Sequence, residues 1–282
     1  MAKIAVIGIC GNSVFMHADH FHERGETIVA DSVYEEIGGK GINQAVAAAR
    51  MGAEVSFLAA VGSDSDGQTC MQVAETEGIK GTFCVKKGER TTFAFILTNK
   101  HGENQVTGYH GAELTVEDVL AFEEEIAHSD ILLLQQEVPC AVNEIAVSLA
   151  KKYDLKVILN PAPIREISRE TAEAVYMVTP NEQEKQAIEI SRFKNVIATL
   201  GKKGCLINED IMIPAIKTQA LDTTGAGDSF NGVLAVCLAE GMDLTAACKY
   251  GVTAAGISVG RRYVLNAIPY REEIERRIRD NE

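Results

Sequence analysis

Val55-Ser56-Phe57-Leu58-Ala59-Ala60-Val61 runs directly into a polar turn, Gly62-Ser63-Asp64-Ser65, and the segment after the turn reads as a helix to about Glu77. Two shorter apolar runs, Ile131-Leu132-Leu133-Leu134 and Val157-Ile158-Leu159, have the unbroken hydrophobicity of strands whose sheet is covered on both faces. Helical patterns lie between and after them, near 115–127 and 142–152. The opening Met1-Ala2-Lys3-Ile4-Ala5-Val6-Ile7-Gly8 reads as another buried strand and is too short for a secretory signal. This alternation predicts an α/β fold with a doubly wound, mainly parallel sheet. Ligands of such sheets sit beyond the carboxyl ends of the strands.

Two stretches, 10–36 and 82–109, break the rhythm. They carry short β-like pieces with polar alternation, such as 91–98 and 105–109, separated by His101-Gly102-Glu103-Asn104. Together they predict a small antiparallel sheet that projects as a lid from a single domain spanning 1–282. The chain has no linker-like tract or internal repeat that would divide it in two.

Hydrophobic residues make up 46% and charged residues 24%, the balance of a globular protein. With 27 basic against 40 acidic residues, the net charge is −13, which argues against nucleic acid or an anionic membrane as partner. An anionic nucleotide must then be drawn in by a local positive site. No apolar run approaches the roughly 20 residues that cross a bilayer. The seven cysteines are scattered, without a CxxC pair or zinc-like spacing, and predict reduced thiols in a cytoplasmic protein.

The most informative chemistry lies in Asp222-Thr223-Thr224-Gly225-Ala226-Gly227-Asp228. Apolar residues follow at Phe230, Val233, Leu234, Cys237 and Leu238, one buried face of a helix. The glycine run therefore opens that helix, where unpaired N–H groups and the helix dipole attract an anion. Asp228, in the first turn, is suited to taking a proton from an alcohol that attacks phosphorus, or simply supports the helix end. A second helix start is Gly38-Gly39-Lys40-Gly41-Ile42-Asn43-Gln44. Lys40 and Asn43 there could bind a polyol or could be ordinary surface and core residues. Neither segment matches GxGxxG or GxxxxGK[ST], so the dinucleotide and P-loop readings lose their support.

The two segments together resemble the signatures of the PfkB (ribokinase-like) family of small-molecule kinases. Between them stand Gly62-x-Asp64-x-x-Gly67, Gly102-Glu103-Asn104, Gln135-Gln136-Glu137-x-Pro139, Asn160-Pro161-Ala162-Pro163, Thr179-Pro180-Asn181-Glu182-x-Glu184 and Thr199-Leu200-Gly201-x-x-Gly204, in the family's order. The glycine–lysine string and Asn-Pro-Ala-Pro are most similar to those of ribokinases. The resemblance implies an ATP-dependent phosphotransferase acting on a sugar hydroxyl, ribose or a related pentose, with Mg²⁺. It implies Asp228 as base, and the N–H groups of Gly225, Ala226 and Gly227 as stabilisers of the transferred phosphoryl group. Asn181 and Glu184 would position Mg²⁺ through water, Thr199, Gly201, Gly204 and Gly227 would line the nucleotide site, and Gly39, Lys40, Asn43 and Glu137 would contact the sugar. A homodimer formed through the lid is also implied.

The chain departs from that pattern in three places. Gly11 and Ser13 stand where ribokinases carry a sugar-clamping Asn and Asp, which opens the alternative of a nucleoside, ketose or sugar-acid acceptor. The stretch from Asn181 to Val196 is shorter than in ribokinases, which implies that one helix, and with it a strand, of the usual fold is absent beside the nucleotide site. Arg261-Arg262-Tyr263-Val264-Leu265-Asn266-Ala267 replaces a Gly-Ala-rich loop, leaving Asp222 and Thr224 as candidate K⁺ contacts on one wall only. His17, His20 and His22 fall in the first lid stretch and read as solvent- or substrate-facing residues more readily than as metal ligands. A non-catalytic sugar or nucleotide sensor is the remaining alternative, disfavoured by the retained base, anion loop and Asn181/Glu184 pair.

Overall fold

Six strands form one parallel sheet in the order Met177–Val178, Lys156–Asn160, Ile131–Gln135, Lys3–Ile7, Glu54–Gly62 and Lys80–Lys86. The computed structural model describes residues 1–101 and 103–280, so Gly102 of the quoted Gly-Glu-Asn motif lies outside the described residues. Successive residues of a strand point to opposite faces, and the two sides of this sheet have separate cores. Ile4, Val6, Phe57, Ala59 and Val61 pack with residues of the helices Lys40–Arg50, Ala226–Ala239 and Leu244–Ser258. Ala5, Ile7, Leu58 and Ala60 pack on the other side with Val119, Phe122, Ile126, Val142 and Ala146. This is the doubly wound sheet that the alternation predicts.

The helices Lys40–Arg50 and Ala226–Ala239 touch almost backbone to backbone. A Cβ added at Gly232 would run into Ala47 and the carbonyl of Gln44. That close approach brings the amino end of Lys40–Arg50 beside the amino end of Ala226–Ala239. The predicted helix at 115–127 is instead two short ones, Val116–Ala121 and Glu123–Ala127. The break falls at Phe122, whose ring is buried in the second core.

A three-stranded antiparallel sheet, Ile197–Thr199, Gly204–Ile207 and Ile211–Pro214, continues the edge at Met177–Val178 through the parallel bridges Val178–Val196 and Asn181–Thr199. The projecting sheet has four strands in the order Ser32–Gly38, Gly11–His17, Phe93–Thr98 and Asn104–Tyr109. Its outer pairings are antiparallel, and the two excursions join through a parallel pairing of Gly11–His17 with Phe93–Thr98. Residues 82–86, read above as lid, belong to the main sheet. Lys80–Lys86 pairs on one side only and is largely exposed, so an edge strand imitates the lid's polar alternation. At the lid's base, a Cβ on Gly11 would strike the Thr92 carbonyl and one on Gly111 the Arg90 carbonyl. Thr91 is anchored there by its N–H and hydroxyl, both donating to Asp64 (2.8 and 2.6 Å). All seven cysteines are free thiols, five of them buried. Among the described residues, no helix is long and apolar enough to cross a membrane.

Candidate active site

Gly225 caps the helix Ala226–Ala239 in the left-handed conformation (φ 73°), which a side chain at this position would strain. Among the described residues, the N–H of Ala226 turns back to the Thr223 carbonyl (3.4 Å), while no backbone acceptor takes the N–H groups of Gly225 and Gly227. Those two amides open the helix and carry its positive dipole end. Asp228, one residue on, is 5% exposed. Its Oδ2 accepts from Asn43 Nδ2 (2.9 Å) and its Oδ1 from Gln44 Nε2 (3.0 Å). The two glycine-rich segments, far apart in the chain, therefore meet at one carboxylate.

Lys40 opens its helix by donating its backbone N–H to Glu137 Oε2 (2.8 Å). Its ammonium is held above the ordinary lysine range by the charge of Asp228, with burial opposing and Glu137 and Glu184 adding to the rise. Burial pushes Glu137 up to about 7, against the pull of the Lys40 charge and N–H. Glu184 is buried, and its pKa is raised by that burial despite the Asn181 N–H and the Lys40 charge. The charges of three carboxylates from distant parts of the chain thus act on one lysine.

Asn181 and Glu184 form a reciprocal cap on the short helix Glu182–Ala187. Asn181 donates its backbone N–H to Glu184 Oε2 (2.8 Å) and Nδ2 to Glu184 Oε1 (2.7 Å), while Asn181 Oδ1 accepts from the N–H of Glu184 (2.8 Å). Each Glu184 oxygen already takes one N–H and has lone pairs left for a donor such as metal-bound water. This donor set fits a hydrated Mg²⁺ rather than a stripped ion. Thr199 lies alongside, its N–H donating to the Pro180 carbonyl (2.8 Å). Gly201 (φ 52°) and Gly204 (φ 104°) bound the turn that follows.

A model of the pfkB family of carbohydrate kinases matches residues 1–271. The chain belongs to this family. It is 35% identical over 294 residues to the ribokinase of Haemophilus influenzae, covering 96% of each chain. It superposes on the crystal structure of Thermotoga maritima ribokinase with a TM-score of 0.88 at 33% identity, covering 99% of this chain and 100% of that one. A ribokinase of Cryptococcus neoformans in complex with ADP gives a TM-score of 0.82 at 28% identity, covering 98% and 100%. As a pfkB carbohydrate kinase, the protein is a phosphotransferase with a hydroxyl acceptor.

The kinase's departures have physical counterparts. Gly11 has no space for a side chain, so it can offer an acceptor only its backbone. Ser13 pairs in register with Glu36, and Phe15 with Tyr34, on one face of the lid. The replaced loop docks on that face. Glu36 accepts the N–H groups of Val264 (2.7 Å) and Leu265 (3.2 Å), and Tyr263 (φ 68°) stacks on Tyr34. Asp222 accepts from the N–H groups of Thr224 (2.9 Å) and Tyr263 (3.3 Å). The shortened stretch after Asn181 holds only Glu182–Ala187 and a 3₁₀ turn, Ile190–Arg192. His20 pairs with Glu26 (3.0 Å) and Asp19 (3.4 Å) at the exposed lid tip. No group of three or more His, Cys, Asp or Glu among the described residues is placed to hold a metal ion.

Sequence reasoning passed over Gln44, Gln135, Asn160, Thr179, Asn231, Tyr34, Glu36 and Tyr263. Five of these, Gln44, Gln135, Asn160, Thr179 and Tyr263, stand in the quoted segments without a role. The available signal was position: Gln135 and Asn160 are amides at the carboxyl ends of apolar strands, where neighbouring residues are fully buried.

Proposed function

We propose that this kinase transfers the γ-phosphoryl group of ATP to a hydroxyl of a sugar, with ribose or a related pentose as first choice. The observation that carries the reading is the Asp228 carboxylate, fixed by two amides and set beside the open N–H groups of Gly225 and Gly227. Asp228 takes the proton as the sugar oxygen forms its bond to phosphorus. The bond from phosphorus to the β–γ bridging oxygen breaks, and ADP leaves with that electron pair. The anion-loop amides, with Ala226 turning from Thr223, meet the charge on the equatorial oxygens.

Asn181, Thr199, Gly201, Gly204 and Gly227 would hold the nucleotide, and Gly39, Lys40, Asn43, Glu137 and Ser13 the acceptor. Asn43 Oδ1 is buried without a partner, an acceptor suited to a sugar hydroxyl. Glu184 and Asn181 would hold Mg²⁺ through water, and the ion would neutralise phosphate charge. Asp222 and Thr224 would be the contacts of a K⁺ ion, and Asp222 also clamps the 261–267 loop by accepting the Tyr263 N–H. The opposite lid face presents exposed Val33, Phe95 and Tyr109, which supports pairing of two copies through the lid. The free thiols fit a cytoplasmic enzyme.

Replacing Asp228 by Asn should lower kcat by about 10²–10⁴ with nucleotide binding retained. Turnover at the wild-type rate would remove Asp228 from the mechanism. A second reading, a different acceptor, is favoured by Gly11 and Ser13, which supply no carboxylate where a ribose clamp is expected. An acceptor panel with coupled ADP detection separates the two readings, and clear preference for ribose ends the second.

A further inference from the structure

Gln44 is wholly buried, with none of its surface exposed. Burying an unpaired amide is costly, so a glutamine here needs partners for its polar atoms. It has them. Gln135 Nε2 donates to Gln44 Oε1 (2.8 Å), which fixes the orientation of the amide. The NH₂ end must then face the other way, where it donates to Asp228 Oδ1 (3.0 Å) and Asn160 Oδ1 (3.2 Å). Asn160 passes the constraint on through Nδ2 to the Thr179 carbonyl (3.4 Å), and the Thr179 hydroxyl donates to Asn231 Oδ1 (2.6 Å). Asn231 Nδ2 closes the circuit on the carbonyl of Gly227 (2.8 Å), within the anion loop.

We infer that Gln44 is a positioning residue that acts through Asp228, clamping the base in the same rigid frame that holds the phosphate-binding loop. This rests on the reading of Asp228 as the base. Asn43 grips the other carboxylate oxygen, so torsion of the carboxylate is blocked on both sides and its free lone pairs keep one direction. A misplacement near 1 Å at a reacting group costs about 10²-fold in rate, which sets the scale of the effect.

The test is a double-mutant cycle between Gln44→Met, which keeps length and apolar packing, and Asp228→Asn. In the otherwise wild-type chain, Gln44→Met should lower kcat about 10–100-fold, with KM for sugar and nucleotide held within about threefold. In the Asp228→Asn background the same change should alter kcat by less than about threefold, because the group through which it acts is gone. An equal loss in both backgrounds, or a rise in KM alone, overturns the inference and leaves Gln44 as packing. Should Gln44→Met not fold, Gln135→Met is put through the same cycle. It leaves the Gln44 amide free to turn, and the same non-additive fall in kcat is required of it. Full activity of Asp228→Asn alone would bring down the base reading and this inference with it. An inactive Asp228→Asn with an additive Gln44→Met overturns only the positioning role.

Discussion

Tyr263 lies stacked on Tyr34, ring centroids 3.6 Å apart and planes 18° from parallel, so the loop that follows the helix Leu244–Ser258 is fastened to a lid strand. Phe15 closes on the edge of Tyr263 at 5.8 Å, and Asn266 Nδ2 donates to the Tyr34 hydroxyl (2.7 Å). Val264, on the same loop, is where a Cβ on Gly225 would strike. Lid, loop and anion site are therefore neighbours in contact. Tyr34→Ala should loosen this fastening by about 0.5–1.5 kcal/mol beyond the lost area. We expect KM for the acceptor to rise severalfold while KM for the nucleotide holds, as steady-state kinetics would show. A matching rise in both would place the stack outside lid closure.

The main sheet was legible because its central strands are apolar on both faces, as Phe57, Leu58 and Leu132 show by sitting in one core or the other. The boundary of the lid was not. Lys80–Lys86 is half exposed at a sheet edge, and alternation cannot distinguish that edge from a lid strand. Asp228 and Asn43 stood out through their motifs, but their contact across 185 positions depends on the close approach at Gly232, which no local pattern encodes. Gln44 carries no local signal for the same reason. Its meaning lies in three partners supplied by other strands and helices.

Gly225→Ala tests the anion loop. A side chain at φ 73° costs about 1–2 kcal/mol, and its methyl would meet the Val264 side chain. The loop amides should shift, lowering kcat about 10²-fold, the scale of losing one donor to the transition state. Adding Val264→Ala eases the collision without relieving the backbone strain, so part of the rate should return. No recovery would mean that backbone strain alone sets the defect.

Lys40→Met tests the cation among the carboxylates. With its charge gone, Asp228, Glu137 and Glu184 would repel one another and the incoming phosphates. We expect kcat to fall about 10²–10³-fold, read by coupled ADP release under saturating substrates. An unchanged kcat with a higher KM for the sugar would confine Lys40 to binding the acceptor.

Burial of Glu137 predicts a pH dependence. Its folded value of about 7 lies above its ordinary 4.5, chiefly through burial, with Lys40 pulling the other way and Asp228 adding to the rise. Between those two pH values the folded protein keeps a proton that the unfolded chain has released. Stability from this group is therefore whole below about pH 4.5 and is lost as pH rises through 7, by about 3 kcal/mol across the gap. Glu137→Gln has no such titration. Denaturant unfolding of both proteins should show the variant gaining on the wild type by up to that amount between pH 4.5 and 7, with other titrating groups cancelling in the difference. Activity should run the other way. A sugar hydroxyl is better held by the ionised carboxylate, so wild-type kcat/KM for the acceptor should fall as pH drops below 7. Glu137→Gln should start lower and lose this limb of the profile; a variant that keeps it would assign the limb to another group.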